Sequence, residues 1–230
     1  GDAFELDFKQ HEGSLKLELD TGIGTLRSVT GYQHSNLVTT FDSDGRYSSA
    51  GTAATETIST SGLIENTWQE NLDFTITAID RLDLIIGATY FRNAESYAPG
   101  QENVTYLFPN SNAAAGPGTP LSSYAKLAQV DAKRTKEAWA GFIDATFRAT
   151  DRLSINLGGR YSTETQNVST IKTCYLVNFS LGCPVASVPA VRFNTSAQST
   201  YSKFTPRASI RYEISPRTNI YLSYSQGFKA

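Results

Sequence analysis

Apolar and polar residues alternate with a period of two along most of the chain, as in strands with one dry and one wet face. Leu153, Ile155, Leu157, Gly159 and Tyr161 interleave with Ser154, Asn156, Gly158 and Arg160. Phe204, Pro206, Ala208, Ile210, Tyr212 and Ile214 interleave with Thr205, Arg207, Ser209, Arg211 and Glu213. Leu72, Phe74, Ile76 and Ala78 alternate with Asn71, Asp73, Thr75 and Thr77, and Leu15, Leu17 and Leu19 with Lys16, Glu18 and Asp20. Trp139, Gly141, Ile143, Ala145 and Phe147 repeat the pattern more weakly, because Ala140 and Phe142 blur the polar side. In 24–41, Leu26, Ser28, Thr30 and Tyr32 share one face, Thr25, Arg27, Val29 and Gly31 the other, and neither is clearly apolar. That segment reads as a strand from its position opposite 14–20.

The connections have a rhythm of their own. Short turns fall at 20–24, 79–81, 150–152 and 215–217, each between two alternating runs, so each marks a β-hairpin. Between the hairpins lie Ser-, Thr-, Asn-, Gly- and Pro-rich stretches at about 42–57, 94–135 and 170–198, read as long loops. Four hairpins give eight strands. Residues 1–12, where Phe4, Leu6 and Phe8 alternate, are either the end of a further strand or part of another loop.

Alternation alone does not say which face is wet. A soluble sandwich buries its apolar face, whereas a membrane barrel turns it to lipid. Three features favour the barrel. The runs 153–161 and 204–214 match the roughly 9–11 residues of a tilted membrane strand. Short turns on one side and long loops on the other are the layout of outer-membrane barrels. Tyr90, Phe91, Trp139, Phe147, Tyr161, Tyr212, Tyr221 and Tyr224 sit near run ends, as interfacial girdles do. Hydrocarbon leaves no partner for an open strand edge, so the sheet must close. Eight strands close only a narrow barrel, and the large polar face suits a wider one. The lack of methionine, even at position 1, and a last residue inside a strand-like run lead to the expectation that further strands lie outside residues 1–230.

Composition narrows the choices. The net charge is −2 with both signs interspersed, so no basic stripe points to nucleic acid. The longest apolar runs are short, such as Leu84–Ile86, and none approaches a membrane helix. Cys174 and Cys183, alone in a polar stretch, are either a disulfide of an oxidising compartment or two separate thiols. Two distant histidines make no metal site. The sequence carries no phosphate-cradling Gly-rich loop and no Gly-x-Ser-x-Gly elbow, so an enzyme ranks last and no cofactor is expected.

Residues 204–230, with Phe-Thr-Pro-Arg, Ile-Ser-Pro-Arg and Tyr-Ser-Gln-Gly-Phe-Lys in that order, resemble the barrel of TonB-dependent receptors. Residues 25–32, 83–91 and 151–161 resemble the same family, in the family's order. The resemblance implies an all-β, antiparallel transmembrane barrel of roughly 22 strands around a plug, of which this chain supplies about eight to nine. It further implies an outer-membrane receptor, not an enzyme. Such a receptor takes up a ferric siderophore, cobalamin, haem or glycan, driven by TonB–ExbB–ExbD through the plug. The sequence shows neither plug, TonB box nor terminal strands, so its partners would be outer-membrane lipid, the plug and remaining barrel of the parent chain, and a small-molecule nutrient. A passive porin and a soluble β-sandwich binding domain are the alternatives.

Two sets of residues are candidates for function. Asp83, Asp144, Arg148, Arg160, Arg207, Arg211 and Glu213 alternate with apolar neighbours, either as lumen charges meeting plug or ligand or as solvated charges and cross-strand ion pairs. Tyr97, Tyr106, Phe108 and Tyr124, in the presumed loop 94–135, are candidates for stacking on a ligand.

Overall fold

The computed structural model describes residues 5–42, 57–97, 103–107, 125–175 and 189–227. They form one antiparallel sheet of β1 (Glu5–Asp20), β2 (Gly24–Asp42), β3 (Thr57–Ile79), β4 (Leu82–Tyr97), β5 (Asn103–Leu107), β6 (Ala125–Arg148), β7 (Leu153–Cys174), β8 (Ala190–Ser215) and β9 (Thr218–Ser225). Neighbours in the sheet follow chain order, β1-β2-β3-β4-β6-β7-β8-β9, with the short β5 between β3 and β6. All four expected hairpins are present, and residues 5–12 continue β1 instead of forming a separate strand or a loop.

Turn chemistry explains where the strands reverse. Gly22 takes a φ of 82°, and its N–H donates to Asp20 Oδ1 at 2.9 Å. At 150–153 the Thr150 hydroxyl accepts from the Arg152 and Leu153 N–H groups at 3.2 and 3.0 Å. The two-residue turn Asp80-Arg81 places Arg81 at a φ of 57°.

Register assigns each side chain to a face. One face carries Leu15, Leu17 and Leu19 on β1, Phe74 and Leu72 on β3, Leu84 and Ile86 on β4, Ile143 on β6, Leu157 on β7, Ile210 on β8 and Leu222 on β9. Most of these side chains are exposed, Leu157 by 58% and Ile143 by 51%, while Phe74 and Leu84 are half-buried. Among the described residues there is one sheet and no second layer over this belt, so the β-sandwich reading fails. In water such a belt would be an aggregation surface, whereas in a bilayer it is the lipid-facing wall.

The aromatic residues bounding the belt reveal how the strands lie. Tyr32 packs against Trp68 with ring centroids 5.9 Å apart. Tyr90 lies opposite Glu70, two residues nearer the short-turn end than Trp68, and packs on Trp139 at 4.2 Å. Tyr161 lies opposite Gly141, again two residues beyond Trp139, and pairs with Phe204. A level girdle thus slips two residues, about 6.8 Å, for every two strands, about 9.6 Å, a strand tilt of about 35° and within the range of outer-membrane barrels.

The strands are longer than the alternating runs. β6 has 24 residues and β8 has 26, whereas the membrane needs roughly 9–11. Much of what reads as long polar loop in sequence is sheet, including 94–97, 103–107, 125–135, 170–174 and 190–198. Above the girdle both faces are wet, so hydroxyl pairs replace apolar ones. Ser202 bonds Thr163 at 2.9 Å, and Thr165 meets Thr200 at 3.1 Å. β5 continues the slot of β4, since Tyr97 pairs with Leu63 and Val104 with Thr60 of the same strand. Seven residues of chain there span three of β3, so the strand is interrupted, not ended.

Candidate functional site

The face opposite the lipid belt is polar and built from cross-strand contacts. All seven charges expected in the lumen, Asp83, Asp144, Arg148, Arg160, Arg207, Arg211 and Glu213, fall on it. The register brings most of them into pairs. Arg148 bonds Asp83 across two neighbouring strands, while Arg211 meets Glu213 at 2.9 Å along a single strand, two residues on. Arg207 Nε donates to Asp144 Oδ2 at 2.7 Å across the intervening β7. Asp144 is 8% exposed and accepts a second bond, from Asn156 Nδ2 at 2.8 Å.

Gly158 is what allows the bridge over β7. A Cβ there would stand 2.3 Å from Asp144 Oδ2 and 2.9 Å from Arg207 Nε. Its neighbour Gly159 serves the lipid face in the same way, lying under the Phe204 ring, where a Cβ would stand 2.6 Å from Cζ. On the polar face Phe142 covers Gly87 similarly.

Other cations on this face are neutralised too: Lys16 by Glu18, Arg27 by Asp73, Lys136 by Glu164, and Arg134 by Glu95. The hydrogen bond to Glu95, together with its charge, holds the Arg134 guanidinium above its ordinary pKa. Asn93, buried, ties Glu65 to Thr67 through bonds of 2.6 and 2.9 Å.

Arg160 differs. It donates to the hydroxyls of Ser162 at 3.0 Å and Thr89 at 2.9 Å and lies 6.0 Å from the Phe142 ring centroid. It bonds no carboxylate among the described residues. Lys203, opposite Ser162 on β8, is likewise in no ion pair among them. Arg160, Phe142, Asp144, Thr205, Arg207 and Gln226 line a hollow of about 310 Å³. Nearer the short turns, Arg148, Arg211, Asn156 and Ser209 border an open groove of about 710 Å³.

Tyr97 is the last residue of β4 and Tyr106 lies in β5, so both belong to strands, a correction that follows from the polar extension of the wall. Phe108 and Tyr124 lie outside the described residues. Cys174, at the end of β7, is fully buried and disulfide-bonded, and Cys183 lies outside the described residues. Among the described residues no three His, Cys, Asp or Glu side chains cluster as metal ligands. The contacts of Thr89, Phe142, Asn156 and Gly158 are not legible in the sequence, because only the register shows what lies beside Arg160 and Asp144.

The whole chain, residues 1–230, matches the family model of the TonB dependent receptor-like β-barrel. The chain belongs to that family. It is therefore an antiparallel part of a bacterial outer-membrane barrel, from a family of transport receptors and not of enzymes. Solved structures share the fold. The ferric yersiniabactin uptake receptor FyuA from Yersinia pestis superposes with a TM-score of 0.64 at 14% identity, over 96% of this chain and 29% of that one. The open form of the ferric-catecholate import receptor Fiu from E. coli K12 gives 0.65 at 15%, over 97% and 36%. The copper transporter OprC gives 0.52 at 14%, over 95% and 31%. The chain thus spans about a third of the length of these structures. No curated protein sequence matches it.

Proposed function

We propose that this chain is barrel wall of a receptor for TonB-driven uptake of a scarce nutrient, and that its polar face guides an anionic cargo. Family membership supports active transport, with a plug, further strands and TonB–ExbB–ExbD supplied from outside the chain. β1 and β9 each pair on one side only among the described residues, and strands of the remaining barrel would pair with them. The family's solved structures carry cargoes as different as ferric siderophores and copper, so the cargo must be argued from this wall.

The observation that carries the anionic reading is Arg160. Its guanidinium is held by two hydroxyls over an aromatic ring, beside a hollow and near Lys203. The neighbouring Arg148, Arg207 and Arg211 are each paired with a carboxylate of the wall, so among the described residues Arg160 and Lys203 are the cations beside the hollow left to meet an entering ligand. A carboxylate, catecholate or other anionic chelate would take the fork of N–H groups that Thr89 and Ser162 leave free. Glycans and other neutral cargoes gain little there.

The test is uptake by the complete receptor, with Arg160→Gln and Lys203→Gln alone and together. Uptake of an anionic ferric chelate at limiting concentration is expected to fall about tenfold in the double variant, while a neutral chelate of similar size is unaffected. Equal effects on both chelates would sink the anionic reading, and uptake that persists without TonB would sink the active-transport reading.

A further inference from the structure

We infer that Glu70, with the hydroxyls and aromatic rings around it, forms a lipid-facing site for the ammonium head group of a membrane amphiphile. The site lies on the outer wall and is separate from the polar face that would guide cargo.

Most lipid-facing columns in the belt are apolar or small. β4 shows Leu84, Ile86, Ala88 and Tyr90, and β6 shows Ala145, Ile143, Gly141 and Trp139. β2 and β3 break the rule together. The β2 column is Leu26, Ser28, Thr30 and Tyr32, and the facing β3 column is Phe74, Leu72, Glu70 and Trp68. This pairing explains why neither side of 24–41 reads as clearly apolar.

The three polar residues form one unit. Ser28 Oγ donates to Glu70 Oε1 at 2.8 Å, and the Thr30 hydroxyl donates to Glu70 Oε2. Each carboxylate oxygen thus has one donor and keeps room for another. No cation among the described residues pairs with Glu70. The two hydroxyls hold the carboxylate in place without neutralising it.

Aromatic residues frame it. Tyr90 stands directly opposite Glu70, Trp68 is two residues away on the same strand and face, and Tyr32 pairs with Trp68. These rings belong to the girdle, which lies where lipid head groups meet the hydrocarbon. A fixed negative charge beside Trp and Tyr faces is the chemistry that holds an ammonium ion, through Coulomb attraction and cation–π contact. Charge complementarity selects the occupant: a primary amine offers donors to both free lone pairs of Glu70, and Arg92, opposite Trp68 on the same face, suits the phosphate that such a zwitterionic head group also carries, whereas a head group with a phosphate and no amine leaves Glu70 unmet.

The experiment is native mass spectrometry of the complete receptor in micelles, titrated with phosphatidylethanolamine and phosphatidylglycerol of the same acyl chains. The wild type is expected to retain the ethanolamine lipid about fivefold over the glycerol lipid, and Glu70→Gln to remove the preference. Trp68→Leu keeps the carboxylate and is expected to reduce the preference to about twofold, so a folding failure of one variant leaves the other to decide. Glu137→Gln, which removes an outer-face carboxylate beside Trp139, should change nothing. A wild type without preference, a Glu70→Gln or Trp68→Leu variant that keeps it in full, or an equal loss in Glu137→Gln overturns the inference.

Discussion

The bridge over Gly158 makes the sharpest demand on the geometry. In Gly158→Ala the new methyl would fall 2.3 Å from Asp144 Oδ2 and 2.9 Å from Arg207 Nε, the two atoms that bond each other at 2.7 Å. The methyl lies on both partners, so both side chains must swing aside and the bond in its present geometry is lost. Asp144 would retain Asn156 but lose its cation while staying buried. A charged hydrogen bond of this kind is worth about 1.5–3 kcal/mol, discounted to about 1–2 because the Arg207 side chain is more than half exposed. Replacing a strand glycine returns about 0.5–1 kcal/mol through the unfolded chain. Gly158→Ala should therefore destabilise by up to about 1.5 kcal/mol. Urea unfolding of the complete receptor in micelles, followed by tryptophan fluorescence, measures this. The decisive comparison is the same substitution in an Arg207→Met background, where there is no guanidinium to displace. There Gly158→Ala should become neutral or stabilising. Equal costs in both backgrounds, with a coupling below about 0.3 kcal/mol, would refute the bridge as the reason for glycine.

Two further substitution or labelling experiments follow from the faces and the cysteines. Leu157→Arg, at mid-belt on the lipid face, should cost about 2–4 kcal/mol in the same assay, while Gln69→Arg on the polar face should cost under about 0.5 kcal/mol; similar costs would mean that the faces are assigned the wrong way round. Cys174 and Cys183 are proposed to be bonded to each other, closing a loop worth about 2–3 kcal/mol, so iodoacetamide should label the unfolded chain at neither cysteine before reduction and at both after it, as read by intact mass.

What could be read in advance depends on the range of each determinant. Turns rest on local chemistry, so Gly22 and Thr150 announced the hairpins within a few residues. Face membership needs only alternation, and all seven proposed lumen charges fall on one side. Strand ends were invisible because above the girdle both faces are solvated. There Thr163, Thr165, Ser202 and Thr200 pair as strand beyond the ends of the alternating runs 153–161 and 204–214. For the same reason the sequence around Tyr97 and Tyr106 reads as loop although both lie in strands.

Register was the part that sequence withheld, and the chemistry of the wall depends on it. Alternation places Asp144 and Arg207 on one face but leaves 62 intervening residues between them. Only the pairing of β6 with β7 and β7 with β8 sets them on either side of Gly158. The same step matches Asp83 to Arg148 and leaves Arg160 with hydroxyls. A list of seven charges suggests a strongly charged lumen, yet the pairs cancel most of that field at short range, where screening by salt cannot. Beside the hollow, Arg160 and Lys203 are the cations left without a carboxylate among the described residues, and the proposed attraction for an anionic cargo rests on them. On the outer wall the sign is reversed: Glu70 holds two hydroxyls and no cation, and its charge faces the membrane. A barrel wall can therefore carry two opposite recognition chemistries without mutual interference, because one strand's thickness and two opposed columns of side chains separate them.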